Sequence, residues 1–191
     1  SKVKVLEDTD SKIDVLMQIA SIWEERLEDK LQAAGAYQEI LENDPNHRAA
    51  YEALETIYRE TEDWASLVEL LITWAETLDD KQDKVDRLQA AARVSEESLG
   101  DQDMAFATLQ AAFNVDYAND VTSRELERIA TEAGKWGELL NEYNGLVQNI
   151  PDPMERCELW VKIGRWYGEH LERPDYGIQS LQKALELNPE S

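Results

Sequence analysis

The chain has 191 residues, enough for one sizeable domain or a short repeat array. Hydrophobic residues make up 42%, with six Trp and seven Tyr, so the composition is one that folds despite 31% charged residues. The formal net charge of −22 excludes nucleic acid and anionic membranes as electrostatic partners, and the single cysteine, Cys157, excludes both an intrachain disulfide framework and a Cys-based zinc site.

No apolar run approaches the length that spans a bilayer. The acidic balance has two readings: a solvated surface that keeps the chain soluble, or an attraction for a basic partner.

Along the chain the apolar spacing is helical throughout, and no stretch alternates with period two for long enough to argue a strand. Residues 1–12 read as the remnant of a preceding helix pair, because Leu6, Asp8 and Lys12 recur as Leu78, Asp80 and Lys84, then as Ile150, Asp152 and Arg156. A first pair follows over 13–47: Leu16, Ile19, Ile22 and Trp23 on one helix, Ala33, Tyr37 and Ile40 on the next, closed by Asp44-Pro45-Asn46. The second, over 48–84, carries Tyr51, Leu54, Ile57 and Tyr58, then Leu67, Leu70, Leu71 and Trp74. A third pair covers 85–119, turning at Leu99-Gly100-Asp101. The fourth covers 120–156 and closes at Ile150-Pro151-Asp152. The fifth covers 157–191, turns at Arg173-Pro174-Asp175 and ends at Asn188-Pro189.

These pairs are copies. Laid over itself so that Leu27 falls on Leu99 and Leu99 on Leu171, the sequence matches itself in column after column: Ala33 with Ala105 and Gly177, Ile40 with Ala112 and Ala184, Trp64 with Trp136, Leu67 with Leu139. Glu25, Glu60, Glu97, Glu132 and Glu169 divide that long interval into a shorter and a slightly longer half, alternating, so each long unit is two similar helix pairs. The odd-numbered pairs carry one extra residue in the turn between their helices. A single pair cannot bury its apolar face alone, whereas stacked neighbours share a continuous core. The small column Ala33, Ala105 and Gly177 lets two helices approach closely, and the aromatic columns fill the space beside it. Most Trp residues are therefore expected in the core. The chain reads as a section of a longer array, since its far end stops at the turn after a second helix with no polar cap.

Trp160-Val161-Lys162-Ile163-Gly164-Arg165-Trp166-Tyr167, followed by Gly177, Leu181, Ala184 and Pro189, resembles the tetratricopeptide repeat. The first pair (Ile19, Ala20, Trp23, Ala33, Tyr37, Ile40, Pro45) and the second (Tyr51, Leu54, Tyr58, Trp64, Leu67, Leu71, Trp74) are similar, and the alternating pair lengths look like those of long bacterial arrays of this family. Leu67 and Leu139 stand where the family favours Ala, and Glu55 and Glu127 where it favours Gly. The resemblance implies an all-α, right-handed α-α superhelix (a solenoid) of five antiparallel helix pairs. It also implies a scaffold that holds a peptide or helix of a protein partner on a concave face lined by the first helix of each pair.

No catalytic constellation is present. His47 and His170 lie in different repeats, and there is no H-E-x-x-H, Gly-rich phosphate loop or C-x-x-C. The acidic groups Asp79, Asp80 and Asp83, and Asp101 with Asp103, lack calcium-loop spacing and read as helix starts. The sequence thus implies no enzyme, cofactor or metal, no nucleic-acid partner and no membrane insertion; the compartment stays open, with the cytoplasm favoured.

The candidate binding stripe is the Glu column Glu25, Glu60, Glu97, Glu132 and Glu169 together with Arg93, Arg128 and Arg165 four residues earlier, and Arg124 one turn before Arg128. In one reading the arginines clasp an acidic peptide by charge-assisted hydrogen bonds. In the other, Arg93–Glu97, Arg128–Glu132 and Arg165–Glu169 pair internally at i,i+4 spacing. A spacer role, with contacts only to flanking repeats or a second copy through the terminal repeats, is the alternative to ligand binding.

Overall fold

Short polar side chains start most of the helices, because the first N–H groups of a helix have no partner within it. Asp29, His47, Asp63 and Asn119 each accept a hydrogen bond from the backbone N–H three residues on, at 3.1, 3.2, 3.2 and 2.9 Å. Asp80 accepts from Gln82 and Asp83, Asp101 from Met104, and Asp152 from Met154 and Glu155. The acidic groups at 80 and 101 are thus helix caps. The computed structural model describes the backbone of residues 2–188 and the side chains of residues 9–188, and the helices are α1 (Lys2–Glu25), α2 (Lys30–Asn43), α3 (Arg48–Glu60), α4 (Trp64–Thr77), α5 (Lys81–Glu97), α6 (Gln102–Val115), α7 (Asp120–Glu132), α8 (Trp136–Leu146), α9 (Pro153–His170) and α10 (Pro174–Leu187). A 3-10 turn, Val147–Asn149, extends α8. No strand occurs among the described residues, and the fold is an all-α array of helix pairs.

Three boundaries differ from the sequence reading. α1 runs without a break from Lys2, so the segment read as a preceding remnant is continuous with the first helix of the first pair; the side chain of Leu6 and the residue Pro189 lie outside the described residues. α5 and α9 begin at Lys81 and Pro153, ahead of the expected 85 and 157, because Asp80 and Asp152 cap them there and Pro153 occupies the first turn, where no N–H is needed. The turns inside pairs keep the register of the long repeat. One residue in each is left-handed: Glu28, Gly100 and Glu172 in the odd pairs, Glu62 and Gly134 in the even ones.

The chain divides into two compact units, residues 1–105 and 106–191, with the boundary inside α6. In the first unit α1 packs on α2, α2 on α3, α3 on α4 and α4 on α5. Its core holds Ile40, Leu54, Leu67 and Leu71, with Tyr51 stacked on Trp74 at 5.1 Å between ring centroids. In the second unit α7 packs on α8, α8 on α9 and α9 on α10. The second core is aromatic. Phe113 meets Tyr143 edge-on at 5.2 Å and Trp166 at 5.8 Å, and Trp136 lies flat on His170 at 3.8 Å. Trp74, Trp136, Trp160 and Trp166 are buried and Trp23 and Trp64 partly so. Ala33, Ala105 and Gly177 are all buried, as their role at close approaches requires. The partner column across Gly177 was not apparent in the sequence: Gly164 stands opposite, and a Cβ built on Gly177 would sit 2.8 Å from the Gly164 carbonyl oxygen.

Candidate functional site

The Glu column falls at the ends of the first helices. Glu25, Glu60, Glu97 and Glu132 are the last residues of α1, α3, α5 and α7, Glu169 is next to last in α9, and all five are exposed. Glu60 takes an ion pair from Lys30 at 2.9 Å. Arg128 donates to Glu125 at 3.0 Å and to Glu132 at 2.8 Å. Arg165 lies 3.7 Å from Glu169. Two of the three expected i,i+4 pairs therefore form. The third does not: among the described residues no ion pair joins Arg93 to Glu97. Both side chains are exposed there, where an ion pair in water gains little over the rotamer freedom it costs. Arg124 turns onto the backbone and donates to the Asp120 carbonyl at 3.2 Å.

Two residues that the sequence marked only as departures from the family pattern also bind neighbouring repeats together. Glu55 and Glu127, equivalent positions of successive long units, are half-buried carboxylates that each take charge from the first helix of the next pair. Glu55 accepts from Arg59 on its own helix at 2.9 Å and from Arg87 of α5 at 3.1 Å. Glu127 accepts from Arg165 of α9 and from the indole N–H of Trp166 at 2.8 Å. A Gly here would leave both donors empty. The signal available in the sequence was an acid repeated in one column where a small residue is usual.

Within the second unit the first helices α7 and α9 border a depression of about 400 Å³, lined by Asp120, Met154, Glu158, Val161, Lys162 and Arg165. Met154 and Val161 are exposed. Lys162 is half-buried and donates to Ser123 Oγ at 2.6 Å; burial pushes its pKa down, against the raising effect of Asp120 and Glu127. In the first unit a depression of about 450 Å³ lies between α2, α3 and α4, lined by Gln38, Leu41, Tyr51, Tyr58 and Leu70, with Gln38 donating to the Tyr58 hydroxyl at 2.7 Å. His47 caps α3 and His170 stacks on Trp136, so each histidine has a structural contact. Among the described residues no cluster of three His, Cys, Asp or Glu is placed to hold a metal, and no helix is long and apolar enough to cross a membrane.

Residues 14–47, the end of α1 with α2 and the turn after it, match the family model of the tetratricopeptide repeat. A tetratricopeptide repeat is thus recognised over residues 14–47. No curated protein matches it. Among solved structures it is similar to a crystal structure of MamA protein, at 18% identity over 95% of this chain and 94% of that one, with a TM-score of 0.44. It is also similar to YrrB, described as a tetratricopeptide-repeat protein with an unusual peptide-binding site, at 16% identity over 98% and 92% of the two chains, with a TM-score of 0.42.

Proposed function

We propose that this chain is a protein-interaction scaffold of the tetratricopeptide type that takes a peptide or helix of a partner along the first helices of its pairs. The observation that carries the reading is the depression bordered by α7 and α9. Its volume of about 400 Å³ is at the lower end of sites that hold small ligands, so it accommodates a few side chains. Met154 and Val161 offer apolar contact, and Lys162 and Arg165 of α9 line it together with Glu158 of the same helix and Asp120 of α7. Such a lining selects an apolar side chain held between polar neighbours. Arg128 and Arg165 already hold carboxylates, so of the arginine stripe Arg93 and Arg124 are the ones with charge to offer a partner. The test is binding of the purified chain to an array of random-sequence peptides, beside Val161→Glu. Capture of a defined subset, lost in the variant, supports the reading. Signals equal to those of scrambled controls overturn it.

A second reading, a self-assembling segment with no separate ligand, rests on a different observation. Ile178, Leu181 and Leu185 form a stripe on α10 that is 58, 41 and 49% exposed, whereas their counterparts one long unit earlier, Phe106, Leu109 and Phe113, are 1, 3 and 0% exposed. The earlier stripe is covered within its unit, where Phe113 packs on Tyr143 and Trp166. A second copy that covered the α10 stripe would remove comparable apolar surface from water. Sedimentation velocity across a concentration series tests this. Association abolished by Leu181→Glu with Leu185→Glu supports it, and a monomer at all concentrations, at both low and high salt, overturns it.

A further inference from the structure

The register of the repeat exposes a charge reversal away from the first-helix stripe. In the first unit Lys12 of α1 forms an ion pair with Glu39 of α2 at 2.9 Å and donates to Asn43 at 3.3 Å. Two long units further along, the same positions are Arg156 of α9 and Lys183 of α10. The acid has become a base, and Asn43 has become Leu187. A cation therefore stands opposite a cation in a chain whose net charge is −22, where acidic side chains outnumber basic ones 41 to 19.

Three features show what that arrangement holds open. Arg156 and Lys183 line one cavity of about 490 Å³, with Gln148, Trp160, Glu186 and Leu187. Arg156 Nε is buried and has no hydrogen-bond partner, which is costly for a charged donor. Lys183 Nζ lies 4.1 Å over the face of the Trp160 ring, which fixes the ammonium at the cavity wall. Glu186 also borders the cavity, but it is exposed, and among the described residues it makes no ion pair with either cation.

We infer that the cavity between the start of α9 and α10 is a binding site for a single oxyanion, a carboxylate or phosphate group. The group occupies the place that the Glu39 carboxylate takes in the first pair. Arg156 offers the terminal N–H groups of a planar guanidinium suited to two oxygens, Lys183 adds a second charge, and the Gln148 amide adds a neutral donor. Glu186 at the rim disfavours ligands with several negative charges. The apolar wall of Trp160 and Leu187 suits an oxyanion carried on a carbon stem, such as the C-terminal carboxylate or acidic side chain of a peptide. The site is separate from the depression between α7 and α9, so its test does not depend on the function proposed above.

The decisive variant is Lys183→Glu, which rebuilds the ion pair seen at Lys12 and Glu39; Arg156→Gln is its companion. Thermal unfolding of the intact chain would be measured with sodium acetate, inorganic phosphate and a short peptide with a free C-terminus, each at constant ionic strength set with chloride, and with the amidated peptide. A bound anion raises Tm with the logarithm of its concentration above Kd, by about 5–10 °C at a ligand concentration a hundredfold above Kd. The expected result is such a logarithmic rise for the wild-type chain with at least one of the three anions and none in either variant. Lys183→Glu alone would also start from a higher Tm. A response to the free peptide but not to its amide identifies the source as a chain terminus, and a response to acetate or phosphate identifies a free anion. No logarithmic rise with any probe, or an equal rise in Lys183→Glu, which would be a general salt effect, overturns the inference.

Discussion

Substitution of Gly177 by Ala isolates the closest helix–helix approach in the second unit. The new Cβ would lie 2.8 Å from the Gly164 carbonyl oxygen, and that oxygen belongs to the α9 backbone, so relief requires the two helices to separate. Overpacking of this kind costs about 1–3 kcal/mol. Replacing Gly by Ala inside a helix returns about 1 kcal/mol of propensity, so the net loss is up to about 2 kcal/mol. Gly164→Ala is the matched control. Its Cβ meets Leu181 Cγ at 2.8 Å and the Gly177 carbonyl oxygen at 3.1 Å. Leu181 is exposed and can swing away, leaving only the milder backbone contact, so Gly164→Ala falls within about 1 kcal/mol of the wild type. The first pair shows what methyls at both positions require: Ala20 and Ala33 stand at the equivalent places, both fully buried. Urea and thermal unfolding, followed by circular dichroism and Trp fluorescence, provide the comparison. A Gly177→Ala chain more stable than the wild type, or one more stable than Gly164→Ala, would refute the reasoning.

Three further outcomes follow from the packing. Glu127→Ala leaves the buried Trp166 indole N–H without an acceptor and should cost about 1–3 kcal/mol, while Glu127→Gln keeps a carbonyl there and should cost less; urea midpoints order the two. The Tyr37 hydroxyl donates to Glu24 at 3.1 Å, and burial, with the Glu24 carboxylate second, holds its pKa up at about 12. Because the unfolded chain loses that proton first, near the ordinary value of 10, the contribution of Tyr37 to stability is complete below pH 10 and declines as pH rises toward 12. Tyr37→Phe should flatten that decline and remove the high-pH component of the ultraviolet phenolate titration. Glu62 is left-handed at φ 54° in the turn where the next unit carries Gly134 at φ 70°, so Glu62→Gly relieves strain of about 1–2 kcal/mol but loosens the unfolded chain by about 0.4–1 kcal/mol. The net effect is a small gain in Tm, and the reverse change, Gly134→Glu, should lower it.

Helix existence, pairing and turn placement were legible in the residues, because they follow from local causes. Apolar spacing of three and four sets the buried face, Asp and Asn supply caps, and the shift that lays Leu27 on Leu99 aligns even the left-handed turn residues. The same shift marked the small column at Ala33, Ala105 and Gly177. Which charges meet was not legible, since a long polar side chain chooses among partners that only folding brings near. Arg128 and Arg165 found the glutamates one turn away, but Arg93 did not. Arg165 also reached Glu127 on an earlier helix, and Trp166 joined it there. The cavity at Arg156 and Lys183 shows the limit most plainly. A column of basic residues at Lys12, Lys84 and Arg156 is visible in the sequence, but the tertiary structure alone puts Glu39 against one member and Lys183 beside another. Repetition carries the backbone, because every copy must satisfy the same hydrogen bonds; the charges between copies vary, because each needs only a partner within reach.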